Sequence, residues 1–135
     1  CLRLVGSEMC IRDSDRAVRL VTTIGMKGYN YDTEEFRNEV GQSIDRSNDD
    51  TGFIRQMAAI LGTRDRIKKI SNIKVPTLII HGDIDPLIKP KNAYHTNKLI
   101  KNSELLMIED MGHLIEEPVF NKFKEQLVQH LDRNC

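Results

Sequence analysis

The chain has 135 residues, 20 Lys and Arg against 20 Asp and Glu, 39% apolar residues and no Trp. That length suits one domain, and zero net charge removes the usual electrostatic argument for nucleic acid or an anionic membrane as a partner. The apolar runs at residues 78–80 and 105–108 fall far short of the ~20 residues that span a bilayer, and no signal-peptide-like apolar stretch opens the chain.

Residues 1–14, CLRLVGSEMCIRDS, show no clean period of 2 or 3.6 and no helix cap, and Cys1 stands first in place of Met. The string resembles adaptor or cloning sequence read as protein at the ends of conceptual translations; an ordinary frayed N-terminus is the other reading. It is set apart as a non-native leader, and a fragment of a longer protein is expected. Cys1 and Cys10 fall inside it, which leaves Cys135 and neither a disulfide framework nor a metal spacing. A soluble protein of the reducing cytoplasm is the expectation.

Residues 15–70 read as helical and rather polar. Ala17, Val18, Leu20, Val21 and Ile24 form a first apolar stripe, ended by Gly25 and Gly28. Asp32 is placed to cap a second helix, with Glu35 three residues on in capping-box position. That helix is predicted to run to Arg46 with Phe36, Val40 and Ile44 on one face. Residues 47–50 read as a loop. Residues 53–61 read as a third helix with Phe53, Met57, Ile60 and Leu61 inward.

From about residue 71 the texture changes. Val75-Pro76-Thr77-Leu78-Ile79-Ile80 is a short apolar run of the kind buried on both faces of a parallel sheet. A helix over residues 91–100, a second strand over 105–108 and a last helix over 119–131 follow, with Pro118 in the first turn of the last. Strand–helix–strand–helix implies a parallel crossover, and two strands are few for a complete sheet.

His81-Gly82-Asp83-Ile84-Asp85-Pro86-Leu87 sits at the C-terminal end of the first strand, where ligand and catalytic groups of open parallel sheets gather. The second strand delivers Gly112-His113 to the same edge, and adjacent strand ends lie about 5 Å apart. An Asp from one loop and a His from the other can pair, the carboxylate fixing the imidazole tautomer and stabilising the imidazolium. Singly, each has a plainer reading as a turn residue or cap; their order and spacing point to a pair.

Val75-Pro76-Thr77-Leu78-Ile79-Ile80-His81-Gly82, Asp85-Pro86-Leu87 and then Gly112-His113 together resemble the C-terminal third of an α/β-hydrolase. The order of triad members in that superfamily, nucleophile then acid then histidine, implies that Asp85 is the triad acid and His113 the general base. These are the candidate catalytic residues. Tyr29-Asn30-Tyr31-Asp32, Asp45-Arg46, Arg55-Gln56-Met57-Ala58-Ala59-Ile60 and Met111-Gly112-His113 resemble one branch more closely, the aclacinomycin methylesterase-like hydrolases. The resemblance implies an α/β fold: the last two parallel strands and their flanking helices (residues 71–135), preceded by a helical lid (residues 15–70).

The superfamily's Gly-x-Ser-x-Gly nucleophile motif is absent from the chain. Gly41-Gln42-Ser43-Ile44-Asp45 is the nearest string, and Ser43 reads as a solvated helix residue. The nucleophile is therefore expected upstream, and the chain alone is expected to be inactive. Asp83-Ile84-Asp85 lacks the small residue and Thr or Val that would follow it in haloacid-dehalogenase-type phosphatases. A calcium loop from Asp83 fails at Ile88 and Tyr94. His81 reads as a strand-end residue bonded to backbone, and His95 and His130 as helix-surface residues without zinc spacing. Arg55 and Gln56 line the lid or anchor it, and Met26, Met57 and Met107 read as packing.

The expected function is hydrolysis of a small-molecule carboxylic ester through a Ser-His-Asp triad. No cofactor or metal is called for, no nucleic acid or membrane is expected as partner, and the oligomeric state is open. Two alternatives stand: an Asp nucleophile, giving a dehalogenase or epoxide hydrolase, and a hydrolase-fold binding protein without catalysis.

Overall fold

The structure is a computed structural model that describes residues 8–46, 51–63 and 65–134. The predicted loop at residues 47–50 and the first seven residues of the leader lie outside the described residues. Those up to Thr23, with Tyr29 to Thr63, form one compact unit; Ile24–Gly28, with the residues from Asp65 onward, form a second.

In the first unit, α1 (Glu8–Ile24) begins inside the segment set apart as leader, so residues 8–14 supply its first turns. Its end shows why Gly25 follows. Thr22 and Thr23 turn their hydroxyls back onto the Val18 and Arg19 carbonyls at 2.7 and 2.8 Å, as β-branched polar residues do where a helix weakens.

The second helix, α2 (Glu34–Arg46), is capped one residue later than the sequence suggested. The Phe36 N–H donates to Thr33 Oγ1 at 3.2 Å, which makes Thr33 the cap and moves Glu35 out of capping-box register. Asp32 is otherwise engaged. Arg37 donates to its carboxylate at 2.7 Å and to that of Asp15 at 2.8 Å. The hydrogen bond from Arg37 holds the Asp32 carboxyl below its ordinary range, against a smaller push from desolvation.

Helix α3 (Gly52–Gly62) forms where predicted, but three of its four expected inward residues are exposed, and the side chain of the fourth, Phe53, lies outside what the structure describes. Leu61 is 78% exposed, and Met57 and Ile60 are exposed with it. Ile54, Met57, Ile60 and Leu61 fall on one face at helical spacing, and all four are exposed.

The second unit opens with α4 (Arg66–Ser71) and is built around β1 (Thr77–Gly82) and β2 (Ser103–Ile108). The two strands pair in parallel, from Thr77 opposite Ser103 to Gly82 opposite Ile108. The first strand starts after Pro76, not at Val75, because proline has no N–H for the ladder. The Thr77 N–H makes the opening bond to the Asn102 carbonyl at 3.0 Å, and Val75 is 66% exposed. Between the strands runs α5 (Pro90–Leu99), with Pro90 in its first turn; after them comes α6 (Glu117–Asn134), with Pro118 in its first turn.

Ile108, Met111, Val119 and Phe123 form the core, with Met26, Ile80, Leu106 and Leu127 packed against it. Val119, Phe123, Leu127 and His130 follow a helical period along α6, which corrects the reading of His130 as a surface residue: it is 7% exposed. Among the described residues its Nδ1 has no hydrogen-bond partner, and it lies 3.8 Å from Glu104 Oε1. The strand was also expected to be buried on both faces. Residues 77–81 are half-buried instead, since among the described residues the sheet has two strands and β1 pairs with β2 alone.

Candidate active site

The parallel register sets the ends of β1 and β2 level, so the loops after both strands leave from one sheet edge. Beyond β1 the ladder continues: the Asp83 N–H donates to the Ile108 carbonyl at 3.1 Å and the Ile84 N–H to the Met111 carbonyl at 3.3 Å. Two glycines allow this closeness. A Cβ on Gly82 would overlap the Met111 and Gly112 carbonyl oxygens, and one on Gly112 would overlap those of Ile24 and Gly25. Three backbone segments therefore nest without side chains between them.

The segment of residues 24–28 completes the nest. The His113 N–H donates to the Ile24 carbonyl at 2.5 Å, and the Lys27 N–H to the Asp110 carbonyl at 3.1 Å. The Met26 N–H donates to Glu116 Oε1 at 3.3 Å. Sequence reasoning treated Gly25 as a helix stop and missed this second role. Its available signal was the glycine at the close approach on two of the three segments, Gly82 and Gly112.

The nest brings together the two residues singled out from sequence. Asp85 is 5% exposed. Its Oδ1 accepts the Leu87 and Ile88 N–H groups at 2.8 and 3.0 Å. Its Oδ2 lies 2.9 Å from His113 Nδ1, across 28 residues of chain. An ionised carboxylate can only accept, so Nδ1 carries a proton, and the neutral imidazole then has its lone pair on Nε2. The His113 side chain remains 35% exposed. Burial pushes the Asp85 carboxyl up, but the hydrogen bonds from His113, Ile88 and Leu87 together outweigh it and hold Asp85 below the usual carboxylate range. Such a pair can take a proton from a nucleophile and stabilise the cation that results.

His81 bonds backbone, as expected: its Nε2–H donates to the Ile88 carbonyl at 2.7 Å, and Nε2 stands 3.8 Å from Asp85 Oδ2. Asp83 is an exposed turn residue, Ser43 is exposed on α2 and His95 is exposed on α5. Arg55 donates to Thr51 Oγ1 within its own unit. Among the described residues, no group of three or more His, Cys, Asp and Glu is arranged to hold a metal ion. Among the same residues, no helix is long and apolar enough to cross a membrane.

A family model for the alpha/beta hydrolase fold matches residues 14–117, a span that includes both strands and the Asp85–His113 pair. The chain belongs to the alpha/beta hydrolase fold family. It is 40% identical to Lipase 1 of Psychrobacter immobilis over 50 residues, which is 37% of this chain and 16% of that protein. With Lipase 3 of Moraxella sp. (strain TA144) it shares 31% identity over 65 residues, 48% of this chain and 20% of the other.

Two solved structures share the fold. One is a serine hydrolase involved in carbazole degradation, with a TM-score of 0.60, 22% identity and coverage of 88% of this chain and 47% of that one. The other, lip1 of Acinetobacter baumannii AYE, gives a TM-score of 0.64 at 18% identity, with coverage of 97% and 50%. The chain thus spans about half the length of these two solved proteins and matches a smaller share of the two lipases. Its two parallel strands with flanking helices are one part of the hydrolase fold.

Proposed function

We propose that the protein to which this chain belongs hydrolyses a small-molecule carboxylic ester through a Ser-His-Asp triad, with the serine upstream of the residues here. The observation that carries the reading is the 2.9 Å bond from His113 Nδ1 to the buried carboxylate of Asp85, at the end of the first of two parallel strands. The lipase names of the two sequence relatives support an ester as the substrate.

In this mechanism His113 Nε2 removes the proton from the serine hydroxyl as the oxygen attacks the ester carbonyl. Asp85 holds Nδ1–H and stabilises the imidazolium, which then protonates the departing alkoxide. Backbone amides elsewhere in the protein stabilise the oxyanion. Water, activated by His113 in turn, releases the acid. The steps use side chains and water. In this reading residues 15–70 form the helical lid, whose helix α3 carries exposed apolar side chains. The aclacinomycin methylesterase-like branch remains the proposed branch of the family.

The test uses the whole protein with short-chain p-nitrophenyl esters and a fluorophosphonate label. His113→Ala should lower kcat by a factor on the order of 10⁶, as loss of the base does in the serine-protease precedent. Near-normal turnover by that variant overturns the assignment. Absence of fluorophosphonate labelling together with a trapped alkyl-enzyme ester from a haloalkane would assign an Asp nucleophile instead.

A further inference from the structure

We infer that His81 is a positioning residue for the Asp85–His113 pair, acting by pinning the turn that holds Asp85. The inference rests on the proposed role of His113 for its kinetic consequence, while the geometry stands apart from it. The far end of the turn after β1 is not held by packing: Leu87 and Ile88 are both exposed. Hydrogen bonds shape it instead. The Leu87 and Ile88 N–H groups converge on Asp85 Oδ1, and the Ile88 carbonyl is taken by His81 Nε2–H from the strand end, seven residues back.

Ile88 is thereby fixed on both sides, by its N–H toward Asp85 and by its carbonyl toward His81. The Asp83 and Ile84 N–H groups anchor the start of the turn, but among the described residues its far end, at Leu87 and Ile88, would without the His81 anchor be tethered through the Asp85 carboxylate alone. Asp85 would then hold the turn, rather than the turn holding Asp85. With it, Oδ1 is fixed and Oδ2 is left aimed at His113. The bond also sets the His81 proton. A carbonyl oxygen cannot donate, so Nε2 must carry the hydrogen. That hydrogen is directed at Ile88 even though Nε2 is 3.8 Å from Oδ2, and it does not compete with His113 for the carboxylate.

The experiment compares His81→Leu, which removes the donor, with His81→Gln, whose amide N–H sits as far from the Cβ as imidazole Nε2. Both are made in the whole protein and read by kcat, by KM and by the downfield proton resonance of His113 Nδ1–H. A sub-ångström to ångström displacement of Asp85 predicts a kcat loss of about 10- to 100-fold in His81→Leu, with KM changed by less than about threefold. The His113 resonance should weaken or move, and His81→Gln should restore both.

Parent-like kcat and an unmoved resonance in His81→Leu overturn the inference. Should that variant fail to fold, ¹⁵N shifts of the unmutated protein decide it: His81 protonated at Nε2 is expected, and protonation at Nδ1 alone refutes it. A parent enzyme without ester turnover would sink the proposed function, yet the resonance and tautomer measurements would still decide the role of His81.

Discussion

Replacing Asp85 with Asn tests the pair with almost no change in shape. Two backbone N–H groups converge on Oδ1 at 2.8 and 3.0 Å, so the carboxamide must place its oxygen there. The reverse orientation would set an NH2 group against two donors. The NH2 group therefore takes the Oδ2 position, 2.9 Å from His113 Nδ1. A donor then faces a donor unless His113 changes tautomer, accepting at Nδ1 and carrying its proton on Nε2. In that form Nε2 cannot act as a base. The equivalent change in serine proteases lowers kcat by about 10⁴, or about 5.4 kcal/mol of transition-state stabilisation. We expect a similar loss in the whole protein, with KM nearly unchanged and the His113 ¹⁵N shifts reporting the other tautomer. A folded Asp85→Asn variant with kcat within about tenfold of the parent would refute the reasoning.

Two further outcomes follow from the same geometry. Gly112→Ala puts a methyl group against the Ile24 and Gly25 carbonyl oxygens, which are backbone and have little room to yield. It should cost about 1–3 kcal/mol by thermal or denaturant unfolding and shift the His113 resonance, whereas a neutral substitution would mean that the segments are not nested as described. The acid side has a definite sign. Because the folded carboxyl of Asp85 lies below its unfolded value, its contribution is complete above that value, about 3.9, and is lost as the pH falls through the folded one. The stability difference between the parent and Asp85→Asn should therefore shrink from about pH 5 downward, and parallel stability curves through that range would contradict it.

The pairing of Asp85 with His113 was legible because it depends on topology more than on packing detail. A strand ending in His81-Gly82 and a second strand delivering Gly112-His113 can meet only if the strands run parallel, and the spacing between them demanded a helical crossover. Features decided by competition between neighbours were less legible. Asp32 and Thr33 are both good caps, and the choice fell to Thr33 while Arg37 engaged Asp32. Val75 belongs to the apolar run but lies before Pro76, which bars it from the ladder. His130 is polar, yet it continues the stripe of Val119, Phe123 and Leu127, and its position on the helix outweighed its residue type. The role of residues 24–28 could not be read locally, because it consists of backbone groups, the Ile24 carbonyl and the Met26 and Lys27 N–H, paired with residues that arrive much later in the chain.

The strand and the site differ in how much they depend on surroundings. Leu78-Ile79-Ile80 is a sequence for a strand covered on both faces, yet its side chains are half-buried, with one strand partner and few core residues against them. Those side chains suit a broader sheet than two strands provide, in keeping with a chain that spans about half of the solved hydrolases it resembles. The carboxylate needs no such breadth. Among the described residues, the hydrogen bonds that Asp85 accepts come from Leu87, Ile88 and His113, and His113 is held in turn by the Ile24 carbonyl. Groups satisfied this locally keep their geometry whatever covers the rest of the sheet. The pairing of Asp85 with His113 is thus set by the backbone groups around it and does not depend on how broad the sheet is.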